Sequence, residues 1–111
     1  MTLFVGGLTC GIRDGLSISS LLNITTSISV TDNFILFIDS GNVRVCTIQT
    51  PRVTTVIKSD TNNFKDGPVS LSSIGFATNI FYDINSEIIY VSSSDINRIA
   101  IICKLLIILF F

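Results

Sequence analysis

The sequence predicts an all-β chain built from two copies of one small antiparallel unit. Three observations carry this reading: a β-branched composition, closely spaced turns and an internal repeat. Of the 111 residues, 19 are Ile, 8 Val and 11 Thr, whereas Ala (2), Gln (1) and Glu (1) are nearly missing. Branching at Cβ restricts rotamers in a helix and packs well on a pleated surface. The residues that favour helices most are scarce. With 48% hydrophobic and 14% charged residues, the chain can bury enough apolar surface to be ordered.

The repeat appears as three blocks kept in order. Asp14-Gly15 returns 52 residues later as Asp66-Gly67. Ser17-Ile-Ser-Ser-Leu21 returns 53 residues later as Ser70-Leu-Ser-Ser-Ile74. Leu36–Val45 aligns 54 residues later with Tyr90–Ile99, so that Ser40 and Arg44 match Ser94 and Arg98. The drift requires two single-residue insertions, both in loops.

Each unit follows one pattern. A polar loop with Asp-Gly leads into a Ser-rich segment ending in Leu21 or Ile74. A first strand follows near Ser27–Thr31 and Asn79–Asp83. Asp32-Asn33 and Asn85-Ser86 form the next turn, since both residue types favour tight reversals. The second strand spans Phe34–Asp39 and Glu87–Ser92. It is apolar on both faces, as a strand covered from two sides must be. Ser40-Gly41-Asn42 or Ser93-Ser94-Asp95 turns into a third strand, Val43–Ile48 or Asn97–Ile102. In the first unit that strand alternates, with Val43, Val45 and Thr47 on one face and Arg44, Cys46 and Ile48 on the other. Thr50-Pro51-Arg52 then turns into a fourth strand, Val53–Ile57. Four short antiparallel strands per unit of about 40–50 residues match the size of a propeller blade.

These residues resemble an NHL repeat. Asp14-Gly15, then Asp39-Ser40-Gly41-Asn42-Val43-Arg44, then Thr50-Pro-Arg-Val-Thr-Thr-Val-Ile57 follow that family's pattern in register. Asp66-Gly67-Pro68, Tyr90-Val91, Ser94, Asn97 and Arg98-Ile99 form a weaker copy. Leu36 stands where the family has Tyr, Ser93 stands where Asp39 would recur, and Ile57-Lys58 replaces Ala-Gly. The resemblance implies a partial β-propeller of about two four-stranded antiparallel blades, truncated relative to a closed ring. Residues 1–7 are expected as the closing strand of a preceding blade, with 8–58 as the first blade. Residues 59–103 form a second blade without its fourth strand, and 104–111 an apolar tail. That tail leaves three readings open: an artificial chain end, a buried last strand or a membrane anchor, although the run is shorter than a spanning helix needs.

Two blades leave two apolar flanks bare, so the chain is expected to associate with copies of itself or with missing blades, or to aggregate. The turn residues are expected to be structural, and Arg44 and Arg98 to pair with Asp14 and Asp66.

The composition narrows the chemistry. The chain contains no His, which removes the usual general base and zinc ligand. The metal-dependent lyases among NHL proteins hold their metal through His, so that activity is not expected here. Net charge is −1 and the seven cations are not clustered, so nucleic acid is not an expected partner. Gly6-Gly7 and Gly11 lack the Lys-Ser/Thr of a phosphate loop. Asp32, Asp39, Asp60, Asp66, Asp83 and Asp95 fall in turns, the ordinary place for Asp. Cys10, Cys46 and Cys103 have neither paired number nor metal spacing and are expected in the core. Asn23-Ile24-Thr25 is a glycosylation sequon without a secretory signal beside it. Leu8-Thr9-Cys10 departs from a lipoprotein cleavage box at Thr9.

No catalytic, cofactor-binding or metal-binding residue is assigned, and no compartment is indicated. The expected function is that of a non-catalytic propeller segment serving as a protein-interaction scaffold, whose partner is a protein or another copy. The alternatives are a membrane-tethered fragment, held through the tail, and the remnant of a larger NHL-type enzyme.

Overall fold

A computed structural model describes residues 3–7, 9–60, 65, 67–68, 72–93 and 98–103. The fold is all-β and propeller-like: two antiparallel sheets stack flank to flank. The strands are β1 (Gly15–Leu16), β2 (Thr25–Val30), β3 (Phe34–Asp39), β4 (Asn42–Thr47), β5 (Arg52–Ser59), β6 (Ser73–Ile74), β7 (Ala77–Asp83), β8 (Ile88–Ser93) and β9 (Arg98–Cys103). The first blade is the meander β2-β3-β4-β5, with the short β1 added outside β5. The second blade, among the described residues, is β7-β8-β9. The two-residue β6 runs parallel to the end of β5 and leads from one blade into the next.

The predicted strands form within one or two residues of their expected bounds. Residues 3–7 do not form the expected closing strand. Gly6 sits at φ +104°, and its N–H donates to the Ser20 hydroxyl at 3.2 Å instead of to a neighbouring strand. Residues 66, 69–71, 94–97 and 104–111, with the expected Asp66-Gly67 loop and the apolar tail, lie wholly or partly outside the described residues.

The strand registers refine the repeat. Both blades carry a bulge at the same place, between Thr25 and Ser27 in β2 and between Ala77 and Asn79 in β7. In β3–β4 Leu36 faces Val45 and Phe37 faces Arg44; in β8–β9 Tyr90 faces Ile101 and Val91 faces Ala100. Leu36 thus corresponds to Tyr90 as the sequence implies. The counterpart of Arg44, however, is Ala100 and not Arg98. The segment joining β8 to β9 is longer by two residues, which places Arg98 opposite Ser93, where Asn42 stands opposite Asp39 in the first blade.

That first-blade turn is a two-residue hairpin. Asp39 pairs with Asn42, and both intervening residues have positive φ, Ser40 at +50° and Gly41 at +79°. Two positive φ values match the right-handed twist of the strands. Asn42 belongs to β4 and needs no such conformation. A Cβ on Gly41 would lie 2.7 Å from the Phe76 ring, because the hairpin abuts the segment entering the second blade. Ala77 N–H donates to the Gly41 carbonyl across the same contact, at 3.2 Å.

The main core lies between the blades. Leu36, Ile38, Val43, Val45 and Val56 of the first blade meet Ile80, Ile89, Val91 and Ile102 of the second. Phe34 meets Tyr82 edge to face, with centroids 5.6 Å apart. At the inner edge the Ser27 hydroxyl accepts from Ile80 N–H at 3.2 Å, and the Ser29 hydroxyl accepts from Tyr82 N–H at 3.1 Å. Two hydroxyls therefore satisfy edge donors of the next blade that have no strand beside them.

Replacing both Ser27 and Ser29 by Ala is expected to cost about 1–3 kcal/mol for each part-buried donor left without an acceptor. Urea unfolding measures that loss. Gly41→Ala is expected to be destabilising as well, because it both strains φ and meets an aromatic ring.

Candidate functional site

The candidate site is the loop 11–24 and the buried arginine that anchors it. The loop closes on itself at its neck. Gly11 N–H donates to the Leu22 carbonyl at 3.1 Å, and Arg13 and Leu21 exchange backbone bonds at 3.2 and 2.8 Å. Inside the loop Ser17–Ser19 make one 3₁₀ turn, entered through Ser17 at φ +45°. Ser17 N–H donates to the Pro51 carbonyl at 2.7 Å and ties the loop to the turn between β4 and β5.

Arg44 rises from β4 into this loop and is wholly buried. Its Nη1 donates to Asp39 Oδ2 at 2.7 Å and to the Leu21 carbonyl at 2.8 Å. Its Nη2 donates to Asp14 Oδ1 at 3.1 Å. The guanidinium carbon lies 5.9 Å from the centre of the Phe37 ring. Nε is the one buried side-chain polar atom among the described residues without a partner. A planar fork with five donors reaches several acceptors at once in a way that an ammonium cannot.

The carboxylates have distinct duties. Asp39, fully buried at the end of β3 and not in the turn, also accepts from Asn23 N–H at 3.0 Å. Asn23 Nδ2 donates to the Ser40 hydroxyl at 2.8 Å, so the second end of the loop is pinned to the hairpin. Asn42 Oδ1 accepts from Ser59 N–H at 2.7 Å and ties the same hairpin to β5. Asp14 accepts from the backbone and hydroxyl of Thr55 at 3.0 and 2.8 Å. Partial burial pushes the Asp14 carboxyl up, but the bonds from Thr55 and the Arg44 guanidinium outweigh it and hold the group below its ordinary value.

The expected Arg44–Asp14 pair is therefore present, whereas Asp66, the expected partner of Arg98, lies outside the described residues. The expectation of three core cysteines holds only for Cys46, whose thiol burial pushes up. Cys10 lies in a loop and Cys103 on the outward face of β9 with Ile99 and Ile101, so both are exposed. Among the described residues no three acidic, His or Cys side chains gather into a metal-binding group. No helix among them is long and apolar enough to cross a membrane.

The surface of the clamped loop mixes polar and aliphatic side chains. Ile12, Leu16, Ile18 and Ile24 all stand exposed on it. Sequence reading missed these exposed aliphatic side chains. The Ser-rich segment was expected as the lead-in to the first strand, and the arginine anchor shows that its aliphatic residues are held outward. A second apolar feature is a cavity of about 510 Å³ on the far flank of the first blade, lined by Phe4, Val5, Leu22, Ile28, Ile35, Phe37 and Cys46 among others.

No family model matches the chain, and no curated protein does. Solved structures do. The chain resembles a protein of unknown function from Bacteroides thetaiotaomicron at 19% identity and a TM-score of 0.75, over 89% of this chain and 27% of that one. It also resembles an auxiliary nutrient binding protein from the same organism at 18% identity and a TM-score of 0.70, over 84% of this chain and 26% of that one. The chain thus spans about a quarter of the length of these proteins, and what it shares with them is the all-β, propeller-like fold.

Proposed function

We propose that the chain is a non-catalytic, NHL-type propeller segment that serves as a protein-interaction scaffold, with the loop 11–24 as its contact surface. One observation carries this reading: four aliphatic side chains are held outward on a loop that Arg44 fastens at both ends. A loop fixed in advance loses less conformational entropy on binding than a free one. Apolar side chains displayed on a rigid support are the kind of surface that buries against a protein. The Asp39–Arg44 stretch that supports the NHL assignment is the same stretch that builds the anchor. That a similarly folded protein is a nutrient binding protein also favours binding over catalysis.

Affinity capture with the immobilised chain tests the reading. The wild type is expected to retain a stoichiometric protein partner that the double variant Leu16→Asp/Ile18→Asp loses at least tenfold. A partner retained equally by both, or no partner above a denatured control, would contradict it.

The anchor has its own consequences. Arg44→Met leaves the Asp39 carboxylate buried and uncompensated, at an expected cost of about 3–5 kcal/mol in urea unfolding. Arg44→Lys is expected to fall between wild type and Met, since one ammonium cannot serve three acceptors. Because the folded pKa of Asp14 is lowered, its contribution to stability is complete above its ordinary value of 3.8. That contribution is lost as pH falls through the lowered folded value. Asp14→Asn is expected to be less stable than wild type at neutral pH and to remove this part of the acid sensitivity.

A further inference from the structure

We propose that the outer flank of the second blade binds the outer flank of the first blade of another copy, head to tail, so that copies close into a ring. The inference rests on the propeller reading above and on a comparison of equivalent positions. Within one chain, one flank of the first blade packs on the inward flank of the second. Leu36, Val43 and Val45 are thereby fully buried. Their strand-register counterparts in the second blade are Tyr90, Ile99 and Ile101. These stand 37%, 73% and 58% exposed beside Phe81 at 62%. An apolar flank that is covered in one blade is bare in the other.

The complementary flank is bare along β2, while Val5 and Leu22 cover Phe37, Cys46 and Val53 farther out. Ile80 of β7 is 6% exposed because it packs against the first blade. Its counterpart in β2 is Ile28, which is 62% exposed, and the adjacent same-face residue Val30 is 61% exposed. The cavity of about 510 Å³ lies on this flank, with Ile35 and Phe37 in its wall. One copy's second blade therefore presents the surface type that the first blade already buries. Another copy's first blade presents the surface type that already covers it. Such an interface joins unlike surfaces, leaves both patches free at the ends of any open assembly, and closes when the rotation permits. A closed propeller has four to eight blades, so two, three or four copies complete the ring.

Sedimentation velocity and light scattering on the wild-type chain are expected to give one discrete mass of two to four copies. Ile99→Glu blocks one flank and Ile28→Glu the other. Both residues are exposed, so each variant is expected to keep the wild-type far-ultraviolet circular dichroism and to be monomeric. Mixed in equal amounts, the two variants retain one competent pair of flanks and are expected to form a dimer and nothing larger. Phe81→Glu with Val30→Glu repeats the experiment if either first variant fails to fold.

A monomeric wild type, or mass that grows without limit as concentration rises, would overturn the ring. So would a pair in which only one single variant dissociates, the signature of like surfaces pairing, or a folded mixture that stays monomeric. The loop variant Leu16→Asp/Ile18→Asp is expected to keep the wild-type mass. A monomeric wild type that still captures a loop partner would therefore remove the ring and leave the scaffold reading standing.

Discussion

A thin antiparallel sheet with apolar side chains on both flanks cannot rest in water, and the rest of this structure follows from that constraint. Each blade must bury two flanks, at roughly 25 cal/mol for every Å² of apolar surface covered. Among the described residues, one pair of flanks finds its complement. Leu36, Ile38, Val43 and Val45 meet Ile80, Ile89, Val91 and Ile102 there, and these residues form the main core. The flank facing the other way on the first blade is partly covered by Val5 and Leu22 of the N-terminal segment, which accompany Phe37, Cys46 and Val53 in a smaller second core.

Polar chemistry works at the margins of that apolar stack. Ser27 and Ser29 accept from the inner edge of the second blade. Asp39, Asn42 and Arg44 lock the opposite ends of the strands to the loops. The buried Arg44–Asp39 pair is not evidence of extra stability in itself, since both charges lose their water. Its consequence is geometric: one guanidinium fixes the neck of the loop through Leu21, its Asp-Gly corner through Asp14, and the hairpin through Asp39.

Much of this was legible in the sequence. The strand Phe34–Asp39 had to be covered on both faces because its apolar residues have no gap. Arg44 and Asp14 were paired by motif position alone. What stayed hidden depends on register and on long-range packing. Arg98 matches Arg44 letter for letter, yet two extra residues between β8 and β9 shift it to the place of Asn42, and Ala100 takes the arginine's position. The Ser27 and Ser29 hydroxyls look like ordinary strand polarity until the next blade's N–H groups are placed against them. Residues 3–7 have the apolar pattern of a strand, but Gly6 turns the backbone away from one. Cys103 reads as a core residue by type and is exposed because it lies on the outward face of β9 with Ile99 and Ile101.

The central claim, that the two halves are like blades stacked flank on flank, is tested most directly by methyl NOE spectroscopy on the isotopically labelled chain. The account requires cross-peaks from the Leu36 and Val45 methyls to those of Ile89 and Val91. Methyls of Leu36 and Val45 that show contacts only within residues 25–59 would mean the halves do not stack, and the propeller reading would be lost with them.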